Sequence, residues 1–334
     1  MRIAVLGAGY MGSAMASVAA MNGHDVRLWG TWLDDALVDA VEHDREHPRL
    51  RMKLDARIRP YRSNGLADAL ENAEMIVHAV SSDGAVAVMT KAKDHLPDVP
   101  ILSVTKGFLP SASGKMDRID VVLAEIAQKK LRFVHASGPA KAIEIARNVL
   151  TLMSYASADA EAARLTAKAM GAPHMRIGVS DDIAGAEICS AMKNAYATGL
   201  GLWDGFYGPD CHNARAACFT QAIVEMEKLV VAGGGRVESA HRAPGAGDLH
   251  VTAAAGRNRA FGERVGKGKA AKLVAAEMLA SGELTEGYAA IASAWKWAAE
   301  HGVRDLPFLE AIHRVIWEDA DVGPTLEKLT LSVQ

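Results

Sequence analysis

A glycine-spaced turn near the start of the chain constrains its fold more than any other feature. The apolar run Ile3–Leu6 predicts a short strand, and an alanine-rich helical pattern follows the turn. Gly7 permits the tight turn, Gly9 lets a pyrophosphate approach the backbone, and Gly12 lets the helix pack closely on the strand. The phosphates would meet the free N–H groups of the helix N-terminus. A second predicted strand, Asp25–Trp29, follows, and this context favours a dinucleotide-binding turn over an ordinary strand-to-helix turn.

Short apolar runs alternate with helical patterns over the first half of the chain. The predicted strands are Ile3–Leu6, Asp25–Trp29, Met75–Val80, Ile101–Thr105, Phe133–Ser137, Leu150–Tyr155 and Met175–Val179. This rhythm indicates a mostly parallel sheet with helices on both faces. After Asp181 only helices are predicted: Ile183–Leu202, Asn213–Ala232, Gly256–Gly266, Ala270–Ser281, Gly287–His301 and Pro307–Glu318. We therefore expect an α/β fold, with a Rossmann-type, doubly wound dinucleotide-binding domain over residues 1–180. An all-helical domain over residues 181–334 would follow it.

Composition excludes several classes of protein. The 334 residues carry a formal net charge of −3 and no basic tract, so nucleic acid is not an expected partner. The longest uncharged runs are broken by Gly, Ser, Thr and His, and no membrane span is expected. Cys189, Cys211 and Cys218 form no CxxC pair, which is typical of reduced thiols in a cytoplasmic protein.

The end of the second predicted strand leaves the choice between NAD and NADP open. An acid at this point favours NAD by binding the ribose 2′-hydroxyl, whereas a nearby arginine suits the 2′-phosphate of NADP. The chain has Trp29-Gly30-Thr31-Trp32 there, and Asp34 and Asp35 come slightly late. Thr31 could hydrogen-bond either form of the ribose.

Two further residues follow predicted strands at the carboxyl edge of the sheet, where such folds hold their ligands. Ser81 follows the third strand, where a cofactor contact and a plain turn with a helix cap at Asp83 are about equally supported. Lys106 follows the fourth strand, and a surface lysine at a strand end means little by itself.

Lys193 lies on a stripe of small residues in the first predicted helix of the second domain. Its neighbours at helical spacing are Ala186, Ser190, Ala197 and Gly201, which would let a ligand or another backbone come close. Proton transfer to a substrate and a lysine that snorkels at a helix contact are equally supported by this spacing.

A second cluster of polar residues begins at Pro244 with a glycine-rich turn. Asp248 follows the turn at the start of a helical pattern, so it is a helix cap unless it faces Lys193 and orients its ammonium. Arg257 offers a planar fork suited to phosphate, and Asn258 adds an amide donor. The alternative for Arg257 and Arg259 is a solvated helix face.

Residues outside these clusters are interpreted as structural. The charged segment 34–59 is expected to be solvated surface between strands. His47, His78, His135 and His250 lack metal-ligand spacing, so no metal site is predicted.

Taken together, these sequence motifs resemble those of the NAD(P)-dependent sn-glycerol-3-phosphate dehydrogenase family. The resemblance spans nearly the whole chain and rests on separated motifs in the right order. Besides the early GxGxxG, they are Thr105-Lys106-Gly107, Ser137-Gly138-Pro139, Ala191-Met-Lys193-Asn194, Asn213-Ala-Arg215-Ala216, Gly245-Ala-Gly247-Asp248-Leu249 and Gly256-Arg257-Asn258-Arg259-Ala-Phe261-Gly262.

The resemblance implies a Rossmann domain, an all-helical domain and an active site in the cleft between them. It implies hydride transfer between NAD(P)H and dihydroxyacetone phosphate or sn-glycerol 3-phosphate, as in phospholipid precursor synthesis, by a cytoplasmic homodimer. Lys193, Lys106 and Asp248 would serve the chemistry. Substrate contacts are implied for Asn194, Thr252, Arg257 and Asn258, and cofactor contacts for Gly7, Gly9, Tyr10, Met11, Gly12, Thr31, Ser81, Lys106, Ala140 and Arg257.

The chain departs from the family pattern at a few places. Ser81 stands where the family usually has Pro, and Gly208-Pro-Asp-Cys-His212 replaces a shorter Gly-rich link. After the Ser-Gly-Pro motif the chain has Ala140-Lys141-Ala142, where the family usually has Ser or Thr followed by Phe-Ala. Thr220-Gln221-Ala222 replaces the family's Thr-Arg-Gly. A related polyol phosphate therefore stays open as the substrate.

Two other classes of protein are weighed as alternatives. A 3-hydroxyacid dehydrogenase is disfavoured because its asparagine follows the lysine by four residues, where this chain has Ala197. A non-catalytic NAD(P)-binding sensor would have no need for both lysines together with Asp248 and Arg257.

Overall fold

The structure is a computed structural model that describes residues 1–283 and 286–331. It divides into two compact units. The first consists of Met1–Lys106 and Ile119–Ile183, and the second of Gly107–Arg118 and Ala184–Gln334.

Strands are concentrated in the first unit. In the described part of the chain they are β1 (Arg2–Leu6), β2 (Asp25–Trp29), β3 (Glu46–His47), β4 (Met52–Lys53), β5 (Ile58–Tyr61), β6 (Met75–His78), β7 (Ile101–Ser103), β8 (Phe108–Pro110), β9 (Met116–Arg118), β10 (Phe133–Ser137), β11 (Thr151–Ala156) and β12 (Met175–Ser180).

Helices occur in both units. The described helices are α1 (Tyr10–Met21), α2 (Asp35–Asp44), α3 (Leu66–Leu70), α4 (Ser82–Ala92), α5 (Ile119–Ala127), α6 (Ala142–Ala146), α7 (Ala160–Met170), α8 (Ile183–Tyr207), α9 (His212–Ala232), α10 (Glu238–His241), α11 (Asp248–Ala255), α12 (Arg257–Gly266), α13 (Ala271–Ala280), α14 (Gly287–Glu300), α15 (Pro307–Trp317) and α16 (Val322–Glu327).

One large sheet organises the first unit. Its strand order is β12-β11-β10-β7-β6-β1-β2-β5, and each neighbouring pair is parallel except β10 and β11. Its central strands are apolar and buried, as expected for parallel strands covered on both faces. The order reverses beside β1, so the glycine turn lies where such sheets bind ligands. The predicted doubly wound α/β fold is confirmed.

The charged segment 34–59 is not simply solvated surface, and that prediction was wrong. It contains α2 and the start of β5, which pairs in parallel with β2 and extends the sheet. Polar residues on the exposed side of α2 hid a buried face formed by Leu37, Val38 and Val41.

The second unit is built around α8. Every residue from Gly185 to Asp204 in this helix is buried, which marks it as the central helix of its unit. Its buried polar or charged side chains are Glu187, Ser190, Lys193, Asn194, Thr198 and Asp204. The predicted helical C-terminal domain is confirmed. Within the described residues, no helix combines the length and apolarity that a membrane crossing requires.

The hairpin of β8 and β9 belongs to the second unit, whereas the sequence analysis expected a single boundary near residue 180. The ring of Phe108 stacks on Trp297 at a centroid distance of 4.9 Å. The backbone N–H of Met116 donates to Glu300 Oε2 at 2.7 Å. These long-range contacts attach the hairpin to α14, and the local sequence pattern gave no sign of them.

Candidate active site

The glycine turn between β1 and α1 has the geometry of a phosphate-binding turn. Gly7 has a φ of 111°, and a Cβ there would lie 2.5 Å from the carbonyl oxygen of Ala79. A Cβ on Gly12 would lie 1.9 Å from the carbonyl oxygen of Gly7. Both glycines are therefore required by the packing of the protein itself.

Gly9 differs from the other two glycines. Its φ is −68°, which any residue can adopt, and a Cβ there would meet no described heavy atom within 4 Å. The protein has no internal need for a glycine here, whereas a pyrophosphate lying against the backbone does. Tyr10 and Met11, the first residues of α1, supply N–H groups at the same helix N-terminus. The turn thus fits a bound dinucleotide.

His47 supports the glycine turn, a role that the sequence analysis missed. The backbone N–H of Leu50 donates to Nδ1 at 3.0 Å, so Nε2 carries the proton and donates to the carbonyl oxygen of Ala8 at 3.0 Å. Burial lowers the pKa of His47, which keeps its ring neutral. No sequence signal would have identified this contact, because it joins residues 39 positions apart.

The remaining residues with implied cofactor contacts lie at loops after strands of the sheet. Thr31 follows β2, and Lys106 follows β7. Ser81 occupies the N-cap position of α4 without a side-chain cap bond, and Asp83 lies in the first turn, so the alternative with a helix cap at Asp83 does not hold. Ala140 precedes α6.

In the second unit, Lys193 and Asp248 form a buried ion pair. Lys193 Nζ donates to Asp248 Oδ1 at 2.5 Å and to Thr252 Oγ1 at 3.1 Å. The Thr252 hydroxyl gives its only proton to the backbone carbonyl of Asp248 at 2.7 Å, so its oxygen is available to accept from the lysine. Lys193 is 7% exposed and Asp248 fully buried. The lysine is therefore held at a fixed point rather than snorkelling to solvent.

A π-helical turn, Ala243–Gly247, delivers Asp248 to this position at the start of α11. A Cβ on Gly245 would lie 2.1 Å from the carbonyl oxygen of Ala240, so the turn closes only with glycine there. The glycine-rich motif thus determines where the carboxylate lies.

Asn194 and Asn258 are locked together by a directional chain of hydrogen bonds. The backbone N–H of Gly287 can only donate, and it lies 2.9 Å from Asn258 Oδ1. Nδ2 of Asn258 therefore donates to Asn194 Oδ1 at 2.8 Å. This orientation leaves Nδ2 of Asn194 to donate to Glu286 Oε2 at 3.0 Å. The sequence analysis did not identify Glu286, which lies beyond the last motif that it used.

Close packing of α8 and α12 brings the two asparagines within reach of each other. A Cβ on Gly201 would lie 2.1 Å from the carbonyl oxygen of Arg259, and a Cβ on Gly262 would lie 2.0 Å from that of Thr198. The two backbones are in direct contact. The small residue at Gly201 therefore admits another backbone, which was one of the two roles expected for the stripe beside Lys193.

A second buried carboxylate ties the same helices together. Asp204 Oδ2 accepts from Arg259 Nε at 2.6 Å, and its Oδ1 lies 3.3 Å from Arg215 Nε. Arg259 is therefore an internal contact of α12 rather than part of a solvated face.

Arg257 has a different environment from Arg259. It is the first residue of α12, it is exposed, and it donates no hydrogen bond within the described part of the chain. A guanidinium at a helix N-terminus combines a planar donor fork with backbone N–H groups and the positive end of the helix dipole. This end of α12 can bind an anion such as a phosphate.

Two of the departures from the family pattern have structural roles of their own. Gln221 is buried and donates to Glu225 Oε1 at 3.0 Å. Glu225 in turn accepts from the backbone N–H groups of Phe308 and Leu309 at the start of α15. Lys141 is the N-cap residue of α6 and pairs with Glu144 at 3.5 Å.

NAD(P)-dependent dehydrogenases characteristically combine a glycine turn on a parallel sheet with a fixed lysine in a helical unit. Comparison with known proteins identifies the family within this class. Residues 2–163 match the family model for the N-terminus of NAD-dependent glycerol-3-phosphate dehydrogenase, and residues 182–327 match the model for its C-terminus. The chain belongs to the NAD-dependent glycerol-3-phosphate dehydrogenase family.

Individual relatives are similar over their full length. The chain is 32% identical to the NADP(+)-dependent glycerol-3-phosphate dehydrogenase of Archaeoglobus fulgidus, over 98% of this chain and 99% of the relative. It is 33% identical to the glycerol-3-phosphate dehydrogenase [NAD(P)+] of Thiobacillus denitrificans, over 98% and 97%. The crystal structure of glycerol-3-phosphate dehydrogenase from Coxiella burnetii superposes with a TM-score of 0.86 at 30% identity, covering 98% of each chain.

Proposed function

We propose that this chain interconverts dihydroxyacetone phosphate and sn-glycerol 3-phosphate with NAD(P)H. The observation that carries the proposal is the 2.8 Å hydrogen bond from Asn258 to Asn194. Each asparagine directly follows a charged residue, Lys193 in one case and Arg257 in the other. The bond therefore ties the turn of α8 that carries Lys193 to the start of α12, which carries Arg257.

Lys193 acts as the general acid and base in this proposal. When bound, NAD(P)H supplies the hydride that reduces the carbonyl carbon. The ammonium of Lys193 donates a proton to the carbonyl oxygen as that oxygen gains negative charge, and the amine takes the proton back in the oxidation. Asp248 and Thr252 hold the ammonium in place through the bonds at 2.5 and 3.1 Å. Lys106 is proposed to polarise the same carbonyl oxygen.

Arg257 and Asn258 are proposed to bind the substrate phosphate. The exposed guanidinium can form two parallel hydrogen bonds to phosphate oxygens, and the N-terminus of α12 adds favourable charge. Binding energy from the phosphate, which does not react, helps to align the carbon that does.

Initial rates of NADH and NADPH oxidation test the proposal, with dihydroxyacetone phosphate and with unphosphorylated dihydroxyacetone in parallel. We expect strong turnover with the phosphorylated ketone alone, because the unphosphorylated one has no group for Arg257 to bind. Equal turnover of both ketones would contradict the phosphate anchor. Turnover of another polyol phosphate instead would show that the departures at Gln221 and Lys141 accompany a different substrate.

We also propose that the enzyme is a cytoplasmic homodimer. Family membership supports a homodimer, and no disulfide involves the three cysteines in the described residues, as is usual in the cytoplasm. Light scattering coupled to size-exclusion chromatography tests the first point, since the chain mass is 35.4 kDa and a dimer has twice that mass.

A further inference from the structure

The loop after β2 returns an acidic side chain to the end of that strand. Asp34 is five residues beyond Trp29, too late in sequence to be recognised as a strand-end acid. The chain folds back, however, and the backbone N–H and hydroxyl of Thr31 donate to Asp34 Oδ2 at 3.0 and 2.8 Å. The N–H of Asp34 also donates to the carbonyl oxygen of Thr31 at 2.8 Å. The carboxylate is thereby fixed directly beside the strand end.

This strand end adjoins the glycine turn. The N–H of Gly7 donates to the carbonyl oxygen of Trp29 at 2.8 Å. A Cβ on Gly30 would lie 3.0 Å from the Cβ of Asp34 and 3.6 Å from the Cβ of Ala8. In a dinucleotide fold, the adenosine ribose lies between the glycine turn and the end of the second strand. Asp34 therefore lies where the ribose hydroxyls would be.

The hydrogen-bonding groups of Thr31 and Asp34 at this strand end suit a ligand hydroxyl that donates a hydrogen bond. The single proton of the Thr31 hydroxyl is already donated to Asp34, so Thr31 has none for a cofactor. Asp34 Oδ1 accepts no hydrogen bond from any residue that the structure describes. An ionised carboxylate only accepts, so Oδ1 matches the O–H of a ribose and not a phosphate oxygen.

The surrounding charge disfavours a phosphate. The guanidinium of Arg62, next to the end of β5, already lies 3.7 Å from Asp35 and 3.1 Å from Asp39. Two carboxylates therefore already neutralise this arginine. Lys91 lies over the ring of Trp32 at 5.7 Å. A 2′-phosphate with roughly two negative charges would meet the Asp34 carboxylate without a dedicated counter-charge.

We propose that Asp34 makes this enzyme selective for NAD(H) over NADP(H). Its carboxylate accepts the hydrogen bond of the adenosine 2′-hydroxyl and repels a 2′-phosphate. The inference rests on the proposed function only in requiring that the glycine turn binds a nicotinamide dinucleotide.

Dissociation constants for NADH and NADPH test this proposal, measured by calorimetric titration of the full-length protein without any carbonyl substrate. We expect the unmodified protein to bind NADH at least about tenfold more tightly than NADPH, a ratio typical of a hydrogen bond to a charged group. Asp34→Asn keeps an oxygen for Thr31 and removes the charge, so NADPH binding should tighten by about tenfold.

Asp35→Asn is the matched control. The Asp35 carboxylate accepts from the N–H and hydroxyl of Ser63 at 2.9 and 3.1 Å, so it is directed towards the end of β5. This variant should keep the NADH preference of the unmodified protein.

Two results would overturn the proposal: equal or tighter binding of NADPH by the unmodified protein, or no gain of NADPH binding in Asp34→Asn. A gain of binding cannot arise from misfolding, and NADH binding retained by Asp34→Asn shows that the variant is folded, so absence of a gain then refutes the proposal. If Asp34 does not select NADH, turnover of dihydroxyacetone phosphate is unaffected. Failure of this inference is therefore distinguishable from failure of the proposed function. Absence of binding by either nucleotide would contradict both.

Discussion

Two kinds of residue occur at the glycine turn of the first unit and at the polar cluster of the second. Some are required by the fold, and others are explained only by a bound ligand. Gly7, Gly12 and Gly245 are required by the fold, because a Cβ on any of them would meet backbone atoms within 2.5 Å. In the described residues no steric constraint requires a glycine at Gly9, and the exposed side chain of Arg257 donates no hydrogen bond. Residues of this second kind indicate where ligands bind.

The two glycines at Gly9 and Gly12 should respond differently to alanine. Gly9→Ala should leave the melting temperature unchanged and weaken NAD(P)H binding about tenfold or more, because the new methyl occupies space meant for the pyrophosphate. Gly12→Ala should destabilise the protein by about 1–3 kcal/mol, because its methyl meets the Gly7 carbonyl. Thermal unfolding and nucleotide titration separate the two effects. Unaltered nucleotide affinity in Gly9→Ala would count against the phosphate turn.

Arg257→Ala should raise the KM for dihydroxyacetone phosphate by about ten- to a hundredfold, because charge-assisted hydrogen bonds to the phosphate are lost. Steady-state kinetics measure the change. Arg314→Ala, which removes an exposed arginine on α15, is the control and should behave like the unmodified enzyme. If the two variants had the same KM, Arg257 would not be the phosphate anchor.

At the scale of secondary-structure elements, α8 and α12 act as one structural unit. Their backbones touch at Gly201 and Gly262, and Asp204 on α8 accepts from Arg259 on α12. This crossing fixes the distance between Asn194 and Asn258. Helix packing thus sets the spacing between the proposed proton donor and the proposed phosphate anchor.

Gly262→Ala should disturb this crossing. A methyl there would lie 2.0 Å from the carbonyl oxygen of Thr198, so the helices must separate, at a cost of about 1–3 kcal/mol. Chemical denaturation measures the loss, and the KM for the phosphorylated substrate should rise with it. Gly84→Ala in α4 is the control, since its nearest described atom would be 3.6 Å away. Equal stability of the two variants would contradict the close crossing.

The ends of β6 and β7 are joined through His78, whose Nδ1 lies 3.2 Å from Ser103 Oγ and 3.0 Å from Thr105 Oγ1. Burial lowers the pKa of His78 to about 4. Its ordinary value is about 6.5, so between these values the unfolded chain binds one proton more than the folded chain. Stability contributed by the neutral ring is therefore complete above about pH 6.5 and decreases as the pH falls towards 4.

His78→Asn should remove this pH dependence. Between pH 7.5 and pH 5, the unmodified protein should lose about 2 kcal/mol more unfolding free energy than the variant. Urea unfolding at the two pH values measures the difference, and the contribution of His47 cancels because both proteins contain it. Parallel losses in the two proteins would show that His78 is not held neutral by the fold.

At the scale of the whole molecule, the sequence was sufficient to predict the structural features that local patterns encode. The parallel, doubly wound sheet and the helical second unit follow from apolar periodicity and glycine spacing. Motifs singled out Asn194, Arg257 and Asn258, whose substrate contacts stay a prediction, and the structure shows that the two asparagines are hydrogen-bonded to each other.

Features that depend on long-range contacts could not be predicted. The attachment of the β8–β9 hairpin to α14 and the bond from His47 to Ala8 each join distant parts of the chain. The position of Asp34 depends on a turn closed by its own side chain, which residue spacing alone does not reveal. Such contacts arise from packing and hydrogen-bond satisfaction, which have no periodic signature.

The central claim is that Lys193, held by Asp248, is the proton donor in the reduction of dihydroxyacetone phosphate. The kcat of Lys193→Ala with this substrate tests the claim most directly, with NAD(P)H affinity measured alongside. We predict a decrease in kcat of about two to four powers of ten, as expected for loss of a positioned proton donor, with nucleotide affinity unchanged. A kcat close to that of the unmodified enzyme, at equal nucleotide affinity, would contradict the claim.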